Sequence, residues 1–228
     1  MWRKYSWSVL LFLSQYLVYS QAEVQNPLTP FWTLKGNSGT DVNTHFIGTT
    51  DDVSLRFKIN NIHAGLIDSA LASTFTGFRS GALSTGTANT AYGYKSFADN
   101  TTGILNTAMG VNALRANTTG TNNTATGALA LRSNTSGSWN TALGGYALTL
   151  STTGNYNTAI GFQTMFSNTT GMENTALGVQ ALYSNTTGSY NTSVGVNALY
   201  SNATGIGNTA TGYGAMLFNT TGIDNTAF

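Results

Sequence analysis

From residue 89 onward, small, apolar and polar side chains return to the same places every 17 residues. Each unit reads Asn-Thr-Ala-apolar-Gly, two variable residues, a small residue, a large apolar residue, two variable residues, Asn-Thr-Thr-Gly and two spacers. We number the positions of the unit from its first Asn. A strict period of this length indicates stacked identical units. The units begin at Asn89, Asn106, Asn123, Asn140, Asn157, Asn174, Asn191, Asn208 and Asn225.

The unit is too short for a helical hairpin repeat, and its Gly and Thr disfavour helix. It predicts one coil of an all-β fold, a β-solenoid or parallel β-roll. We expect a first strand at Thr-Ala-apolar, a second strand around positions 8 and 9, and a return turn at Asn-Thr-Thr-Gly in which Gly takes a positive φ. Equal coils stack Asn on Asn and Thr on Thr, so side-chain ladders are expected. At roughly 4.8 Å per strand, about eight or nine coils would make a rod about 40 Å long.

Two columns of apolar side chains are predicted on opposite faces of the first strand. Position 3 is small in every unit and, with the large residue at position 9, is expected to form the core. Position 4 points the other way and would leave a second apolar stripe uncovered. A continuous exposed stripe of this kind indicates a partner, so we expect a homo-oligomer. Position 4 holds Tyr92, Met109, Leu143, Ile160, Leu177 and Val194, with Thr126 and Thr211 as exceptions.

Residues 1–22 predict a secretory signal peptide. Arg3 and Lys4 form a short positive region, residues 9–19 form an apolar run, and Ser20-Gln21-Ala22 matches a small-x-small cleavage site. The apolar run is shorter than the about 20 residues that a spanning helix needs, although a retained membrane anchor is the alternative. No other segment of the sequence is apolar enough to span a membrane. We therefore expect a protein that is secreted or held at the cell surface.

Residues 23–72 lack the repeat and predict a small β module with short runs at 31–34 and 45–47. Residues 53–59 alternate apolar and polar side chains, which is the period of a strand with one buried face. Asn60-Asn61 fits a two-residue hairpin turn into the next β-rich run. The array is expected over residues 73–228, with a first unit one residue short that suits a cap. The sequence ends in mid-unit, as a fragment of a longer protein would.

Charge is scarce and unevenly placed. Charged residues make up 7% of the chain, against about 25% in a typical globular domain, so Asn, Thr, Ser and Gly supply the solubility. No Lys or Arg follows Arg132. Because a phosphate-binding surface draws its affinity from clustered Lys and Arg, nucleic acid is not an expected partner. The chain has no Cys, which excludes a disulfide framework and a Cys-based metal site.

The sequence predicts no catalytic, cofactor-binding or metal site. His45 and His63 lie on different β runs, and a zinc site needs three or four such ligands. Asp51-Asp52 fits a turn better than a catalytic pair. A glycan-active solenoid enzyme would cluster carboxylates on one face. The acids inside the array do not share one repeat position; they are Asp99, Glu173 and Asp224.

Two further sets of residues invite a functional interpretation. Several Asn-x-Thr triplets at position 12 match the glycosylation motif, but the turn repeat generates them automatically; they include those at Asn100, Asn117, Asn168, Asn185 and Asn219. Aromatic side chains at positions 10 and 17 could stack on sugars or on a receptor, although packing along the rod is the simpler expectation. These aromatics are Phe166, Tyr183, Tyr200, Trp139, Tyr156 and Tyr190.

The units at residues 157–161 and 174–178, Asn-Thr-Ala-Ile-Gly and Asn-Thr-Ala-Leu-Gly, resemble the head repeats of YadA-like trimeric autotransporter adhesins and of related phage tail-fibre-like bacterial surface proteins. Residues 32–39 and 46–50 look like the segment that precedes such repeats. The resemblance covers residues 31–228. It implies a trimer of parallel β-rolls on the bacterial outer surface, often used for attachment. The repeat here is longer than the usual head repeat.

These observations favour a non-enzymatic, exported structural or adhesive fibre protein that works as a homotrimer and binds an unidentified surface receptor or glycan. An ice-binding β-solenoid is one alternative. It requires Thr-x-Thr on a flat strand face, whereas the Thr pairs at positions 13 and 14 are adjacent. A glycan-active β-helix enzyme is the other alternative, and the lack of clustered carboxylates argues against it.

Overall fold

The structure is a computed structural model, and it describes Asp41 and residues 46–228. The chain divides after Gly48 into two units, and the second, Thr49–Phe228, contains every strand of the described residues. Several predicted features lie outside the described residues: the signal peptide at residues 1–22, the run at 31–34, His45, and residues 32–39 of the segment that resembles the one preceding adhesin head repeats.

One twelve-stranded sheet joins these strands in chain order. The first three strands pair antiparallel, and each later strand pairs in parallel with the strand before it. Within the described part of the chain, no helix is long and apolar enough to cross a membrane. The strands are β1 (Leu55–Ile59), β2 (Ile62–Asp68), β3 (Ser73–Thr76), β4 (Thr90–Tyr92), β5 (Thr107–Met109), β6 (Thr124–Thr126), β7 (Thr141–Leu143), β8 (Thr158–Ile160), β9 (Thr175–Leu177), β10 (Thr192–Val194), β11 (Thr209–Thr211) and β12 (Thr226–Ala227).

Strands β4–β12 confirm the β-solenoid, because they repeat every 17 residues and pair like with like. Thr90 lies beside Thr107, and Ala91 lies beside Ala108. Each strand from β4 to β11 covers positions 2 to 4 of its unit, as the Thr-Ala-apolar pattern predicts. Each coil therefore presents the same side chains to its neighbours as the coil before it.

The core lies where positions 3 and 9 meet inside the coil. Ala108 and Leu114, from these two positions, are both fully buried, and the equivalent residues of the neighbouring coils are buried with them in one cluster. The small residue at position 8 joins the same cluster, as Ala113 does. A small residue facing a large one suits a narrow interior, because protein cores are close-packed.

The first hairpin confirms the predicted turn at Asn60-Asn61. Both residues have left-handed backbone angles, with φ of 48° and 59°. Type I′ turns need a positive φ at both central residues, and Asn accepts this conformation more readily than most residues. The hairpin places β2 against β3, the first strand of the array.

The second strand predicted around positions 8 and 9 is not formed. Positions 6 to 11 form a turn, because the residues at positions 7 and 9 are left-handed, as in Asn112 (φ 55°) and Leu114 (φ 47°). A strand needs negative φ throughout. The turn still bonds to both neighbouring coils: the N–H of Asn112 donates to the carbonyl of Tyr94 at 2.9 Å, and that of Leu114 donates to the carbonyl of Ala130 at 3.0 Å.

The return turn lies where predicted, but its glycine is required for another reason. The expected positive φ is not found at Gly120, the position 15 glycine of its coil. A Cβ atom there would lie 2.4 Å from Oδ1 of Asn117 and 2.4 Å from the carbonyl oxygen of Gly137. Glycine is needed because the backbones of successive coils approach too closely for any side chain.

Buried Asn side chains at position 1 form a continuous ladder. The Nδ2 group of Asn140 donates to Oδ1 of Asn123 at 3.1 Å and to the carbonyl of Gly154 at 2.8 Å. Its Oδ1 accepts from the backbone N–H and the Nδ2 group of Asn157, at 3.0 and 3.1 Å. Buried polar groups are tolerated when they are bonded in this way. The predicted Asn ladder is confirmed.

A ladder of Thr side chains is confirmed at position 13, with a different acceptor from the one expected. The hydroxyl of Thr118 donates to the backbone carbonyl of Thr135 at 2.9 Å, and that of Thr135 donates to the carbonyl of Thr152 at 3.1 Å. The hydroxyls bond to backbone oxygens of the next coil and not to one another. They therefore lock the return turns of adjacent coils together.

The Asn ladder at position 12 has a gap at Ser151. Nδ2 of Asn134 donates to Oδ1 of Asn117 at 2.7 Å, and other pairs in this column repeat the bond. Ser151 is too short to reach either neighbour. Within the described residues, Oδ1 of Asn134 and Oγ of Ser151 are buried and have no hydrogen-bond partner.

Ser151→Asn is expected to repair this ladder and raise the free energy of unfolding by about 1–2 kcal/mol, since one new side-chain bond forms and a buried oxygen gains a donor. Urea denaturation of the full chain measures the change. Ser133→Asn, which adds the same side chain at position 11, is the control and should change little. A loss of stability in Ser151→Asn, or an equal gain in both variants, would contradict the ladder.

The first coil exchanges its large and small core residues. Phe75 occupies position 3, which is small in the later units, and Gly81 occupies position 9, which is large in them. A Cβ atom on Gly81 would lie 2.4 Å from Cγ of Phe75, so the ring fills the space that a position 9 side chain occupies elsewhere. The ring packs on Phe97 of the next coil, with centroids 6.4 Å apart.

Candidate interaction surface

The outer face of the parallel sheet carries a column of apolar side chains at position 4. Because side chains alternate along a strand, this position points away from the buried alanine at position 3. Tyr92 is 61% exposed, Leu143 47% and Leu177 45%. The Ala residue that precedes each of them, at position 3, is almost fully buried. The second apolar stripe predicted from the sequence is confirmed as an exposed surface of the single chain.

Position 6 adds a second exposed apolar column two residues further along each coil. The neighbouring glycine at position 5 has a φ of 126–139° along the array, which turns the chain out of the strand. We call positions 4 and 6 together the apolar face. Its exposed members are Tyr92, Tyr94, Met109, Val111, Leu143, Phe162, Leu177, Val179, Val196 and Tyr213.

A column of Thr side chains borders the apolar face at position 2. These residues open every strand from β4 to β12 and share the outward orientation of position 4. Their side chains are exposed or half-buried. Sequence reasoning missed this column, because it considered the Thr pairs of the return turn and not the Thr of the strand. The repeated Asn-Thr-Ala pattern could have revealed it.

The aromatic side chains at position 10 stack on one another. The rings of Phe166 and Tyr183 lie 5.4 Å apart and within 8° of parallel, and those of Tyr183 and Tyr200 lie 5.1 Å apart and within 3°. The ring faces cover each other and expose mainly their edges. Packing along the array, the simpler of the two expectations, is confirmed for this column.

Position 17 carries a second aromatic stack. Trp139 and Tyr156 are parallel within 7°, with ring centroids 5.0 Å apart, and both remain about half exposed. Tyr190 lies two coils beyond Tyr156, with Glu173 at the same position between them. The left-handed backbone at this position directs the side chains outward, and the N–H of Trp139 bonds to the carbonyl of Thr121 in the previous coil.

Four of the five Asn residues named for glycosylation at position 12 are inaccessible in the folded chain. Asn100, Asn117, Asn168 and Asn185 are fully buried. The Nδ2 atom that would carry a glycan is instead a donor within the ladder, as in the 2.8 Å bond from Asn117 to Asn100. Asn219, near the end of the array, is only half-buried.

The ionisable residues singled out in the sequence are not brought together. Asp51 and Asp52 lie in a bend, and Asp52 accepts a hydrogen bond from Ser69. Glu173 and Asp224 share position 17 but are three coils apart, roughly 14 Å. Among the residues that the structure describes, no group of three or more His, Asp or Glu side chains could hold a metal ion.

His63 lies on β2, where Nε2 is buried and has no hydrogen-bond partner among the described residues. Burial lowers the pKa of His63 below its ordinary value; a hydrogen bond with the backbone of Ser80 opposes this shift, and the positive charge of Arg56 adds to it. The imidazole is therefore neutral at pH 7.

Comparison with known proteins provides no relative for this chain. No protein-family model, no curated protein and no solved structure matches it. The β-solenoid is established by the strand register and the burial pattern.

Proposed function

We propose that this protein is an exported, non-enzymatic structural and adhesive fibre protein, similar in role to an adhesin head, that attaches a bacterial cell to surfaces or to a host. The observation that supports this proposal best is the apolar face, which runs along successive coils without cover in a single chain. The signal-peptide pattern and the resemblance to trimeric adhesin heads support export and surface display. Two further copies of the same chain would cover the face.

A second copy fits this face better than an unrelated partner would. A partner that covers the column must present apolar groups at the spacing of the coils, roughly 4.8 Å. A parallel copy in register does so automatically, because its own position 4 repeats at the same interval. Closed cyclic symmetry then lets each chain contact two neighbours without leaving a free apolar surface.

Burial of the apolar face would stabilise such a trimer substantially. Covering the exposed half of each Leu or Val contributes on the order of 1 kcal/mol, and the contribution recurs at successive coils. The Thr column at position 2 would lie at the edge of the contact, where hydroxyls remain partly hydrated. Exposed or half-buried Thr at positions 13 and 14 of the return turns keeps part of the coil surface polar, which suits a fibre exposed to water.

Leu143→Asp with Leu177→Asp is expected to convert the trimer to single chains, because six carboxylates would have to be buried against one another. Light scattering measures the mass, and far-ultraviolet circular dichroism checks that the β fold persists. The matched control is Thr153→Asp with Thr187→Asp, which adds the same charges to the same coils at the exposed position 14. If both doubles keep the parent mass, the apolar face is not the interface.

Attachment itself is tested with beads coated with the full chain. Coated beads are expected to adhere to host cells or to glycan-covered surfaces more than beads coated with an unrelated protein of similar net charge. Equal adhesion of the two bead types to every surface would contradict the adhesive role. A trimer that does not adhere would leave a structural fibre as the function.

The Thr column favours ice binding as a second candidate function. Thr residues open nine consecutive strands at position 2, and β6 and β11 carry Thr-x-Thr on the outer face. The bulky side chains at position 4 interrupt the flat surface that ice would require. Ice binding and trimer formation compete for the same face, so thermal hysteresis in a monomeric sample would favour this alternative over the fibre.

A further inference from the structure

A basic cleft lies over the first coils, beside the end of the apolar face that carries Tyr94. Its first recess has a volume of about 300 Å³ and is lined by His63, Arg79, Lys95 and Arg115, with Asp99. A second recess of about 370 Å³ is lined by Asp99, Arg115 and Arg132. Asp99 and Arg115 line both recesses, so the two recesses adjoin each other. We call the pair the basic cleft.

Every basic side chain of the array lines this cleft. Residues 73–228 contain four Lys or Arg residues in all, namely Arg79, Lys95, Arg115 and Arg132. One carboxylate, that of Asp99, faces them, while the other acids of the array lie in later coils. The cleft therefore concentrates positive charge on an array that is otherwise nearly uncharged, and a charged recess of this kind attracts anions.

The repeat places these cations in like-charged pairs. Arg79 and Lys95 share position 7 of consecutive coils, and Arg115 and Arg132 share position 10, so the backbones of each pair are roughly 4.8 Å apart. Asp99 pairs with Arg115 at 3.8 Å, and this is the one ion pair within the described residues. The other three cations form no ion pair within the described residues, so one carboxylate faces four positive charges.

Aromatic rings hold two of the cations at the cleft. The guanidinium of Arg79 lies 5.7 Å from the ring centre of Phe78, and the ammonium of Lys95 lies 5.1 Å from that of Tyr94. The two rings stack on each other within 7° of parallel. Cation–π contacts of this kind restrict the cations before any ligand arrives.

We propose that the basic cleft binds an acidic polysaccharide through the carboxylate or sulfate groups of successive sugar residues. Two adjoining recesses with a shared wall suit a polymer with repeated anionic groups. The volume of each is at the low end of the about 300–1,000 Å³ typical of small-molecule sites, which suits a sugar residue. Leu83 and Ala98 give the first recess apolar wall for the C–H groups of a sugar ring.

The observations favour an acidic glycan over single-stranded nucleic acid. Nucleic acid sites present open aromatic faces on which bases stack. Here Phe78 and Tyr94 stack on each other and carry Arg79 and Lys95 over their rings. An acidic polysaccharide would be the ligand through which the protein attaches to a surface. The biological role of this site therefore rests on the attachment function proposed above.

The test measures binding of the full chain to fluorescently labelled chondroitin sulfate by anisotropy, with the oligomeric mass recorded on the same sample. Hyaluronan carries carboxylates alone and dextran sulfate carries sulfates alone, so the pair identifies the group that is recognised. Neutral dextran is the blank. We expect saturable binding of at least one acidic glycan that weakens as salt is raised, and no binding of dextran.

Arg115→Gln with Arg132→Gln is expected to weaken binding on the order of tenfold, as two screened charge contacts are lost. The matched control, Arg56→Gln with Lys58→Gln, removes the same charge from the exposed hairpin strand β1 and should bind within about twofold of the parent. Asp99→Asn frees Arg115 for the ligand and should tighten binding a few-fold.

Failure of this inference is distinct from failure of the fibre proposal. Equal losses in the two double variants, no binding beyond dextran, or equal competition by a single-stranded oligonucleotide of the same charge would overturn the acidic-glycan site. None of those results would change the measured mass of the oligomer, so they would not bear on the trimer. A monomer that binds chondroitin sulfate through Arg115 and Arg132 would keep the site and overturn the trimer.

Discussion

Phe75→Ala is expected to lower the free energy of unfolding by about 3–5 kcal/mol, because it removes a fully buried ring and leaves a cavity beside Gly81. Gly81→Leu alone is expected to lower the free energy of unfolding by about 3 kcal/mol, since its Cβ would lie 2.4 Å from the Phe75 ring. The double variant is expected to approach the parent, because it restores the small residue at position 3 and the large residue at position 9 found in later coils.

Denaturant unfolding of the parent, the two single variants and the double variant gives the coupling free energy. Coupling of several kcal/mol of favourable sign is expected, which is at the top of the range for residues in contact. The pair Ala82→Leu and Phe75→Ala is the control, since Ala82 is exposed and should not compensate. Additive losses in the Phe75→Ala, Gly81→Leu variant would contradict the view that one fixed volume fills every coil.

Asn140→Ala is expected to lower the free energy of unfolding by about 4 kcal/mol, since it interrupts the position 1 ladder in mid-array and orphans buried groups on both sides. The carbonyl of Gly154 loses its side-chain donor, and the backbone N–H of Asn157 loses its acceptor. Thermal or urea unfolding measures the change.

Thr141→Ala, the adjacent residue on the outer face, is the control for the ladder variant and should change stability by about 0.5 kcal/mol or less. Asn140→Asp separates two explanations, because it keeps the acceptor for Asn157 and loses the donor to Gly154. If Asn140→Ala costs no more than Thr141→Ala, the buried ladder does not hold the coils together.

The coil spacing, the first strand, the two strand faces and the ladders were predictable because each depends on side-chain identity in a strict register. The second strand was predicted wrongly because nothing in Leu114 or its equivalents indicates a left-handed backbone, which is uncommon outside glycine. The need for glycine at position 15 was predicted correctly, but the expected cause, a positive φ, was wrong. Glycine is required there because the backbones of successive coils approach closely, and the sequence of a single unit cannot reveal that contact.

The two surfaces differ in how far the sequence could predict them. The apolar face follows from position 4 alone, because alternation on a strand fixes its direction. The basic cleft combines positions 7 and 10 of successive coils with His63 from β2, and only the path of the turn brings these together. The same turn was predicted as a strand, so the contact between those columns could not be foreseen.

The mass of the full chain in solution by light scattering tests most directly whether the apolar face is an interface between copies. The trimer predicts three times the 24.0 kDa of one chain, less any cleaved signal peptide, at concentrations well above the dissociation constant. A β-rich circular dichroism spectrum of the same sample would show that the measured mass belongs to the folded protein. A stable, β-rich monomer with its apolar face open to water would contradict the proposal.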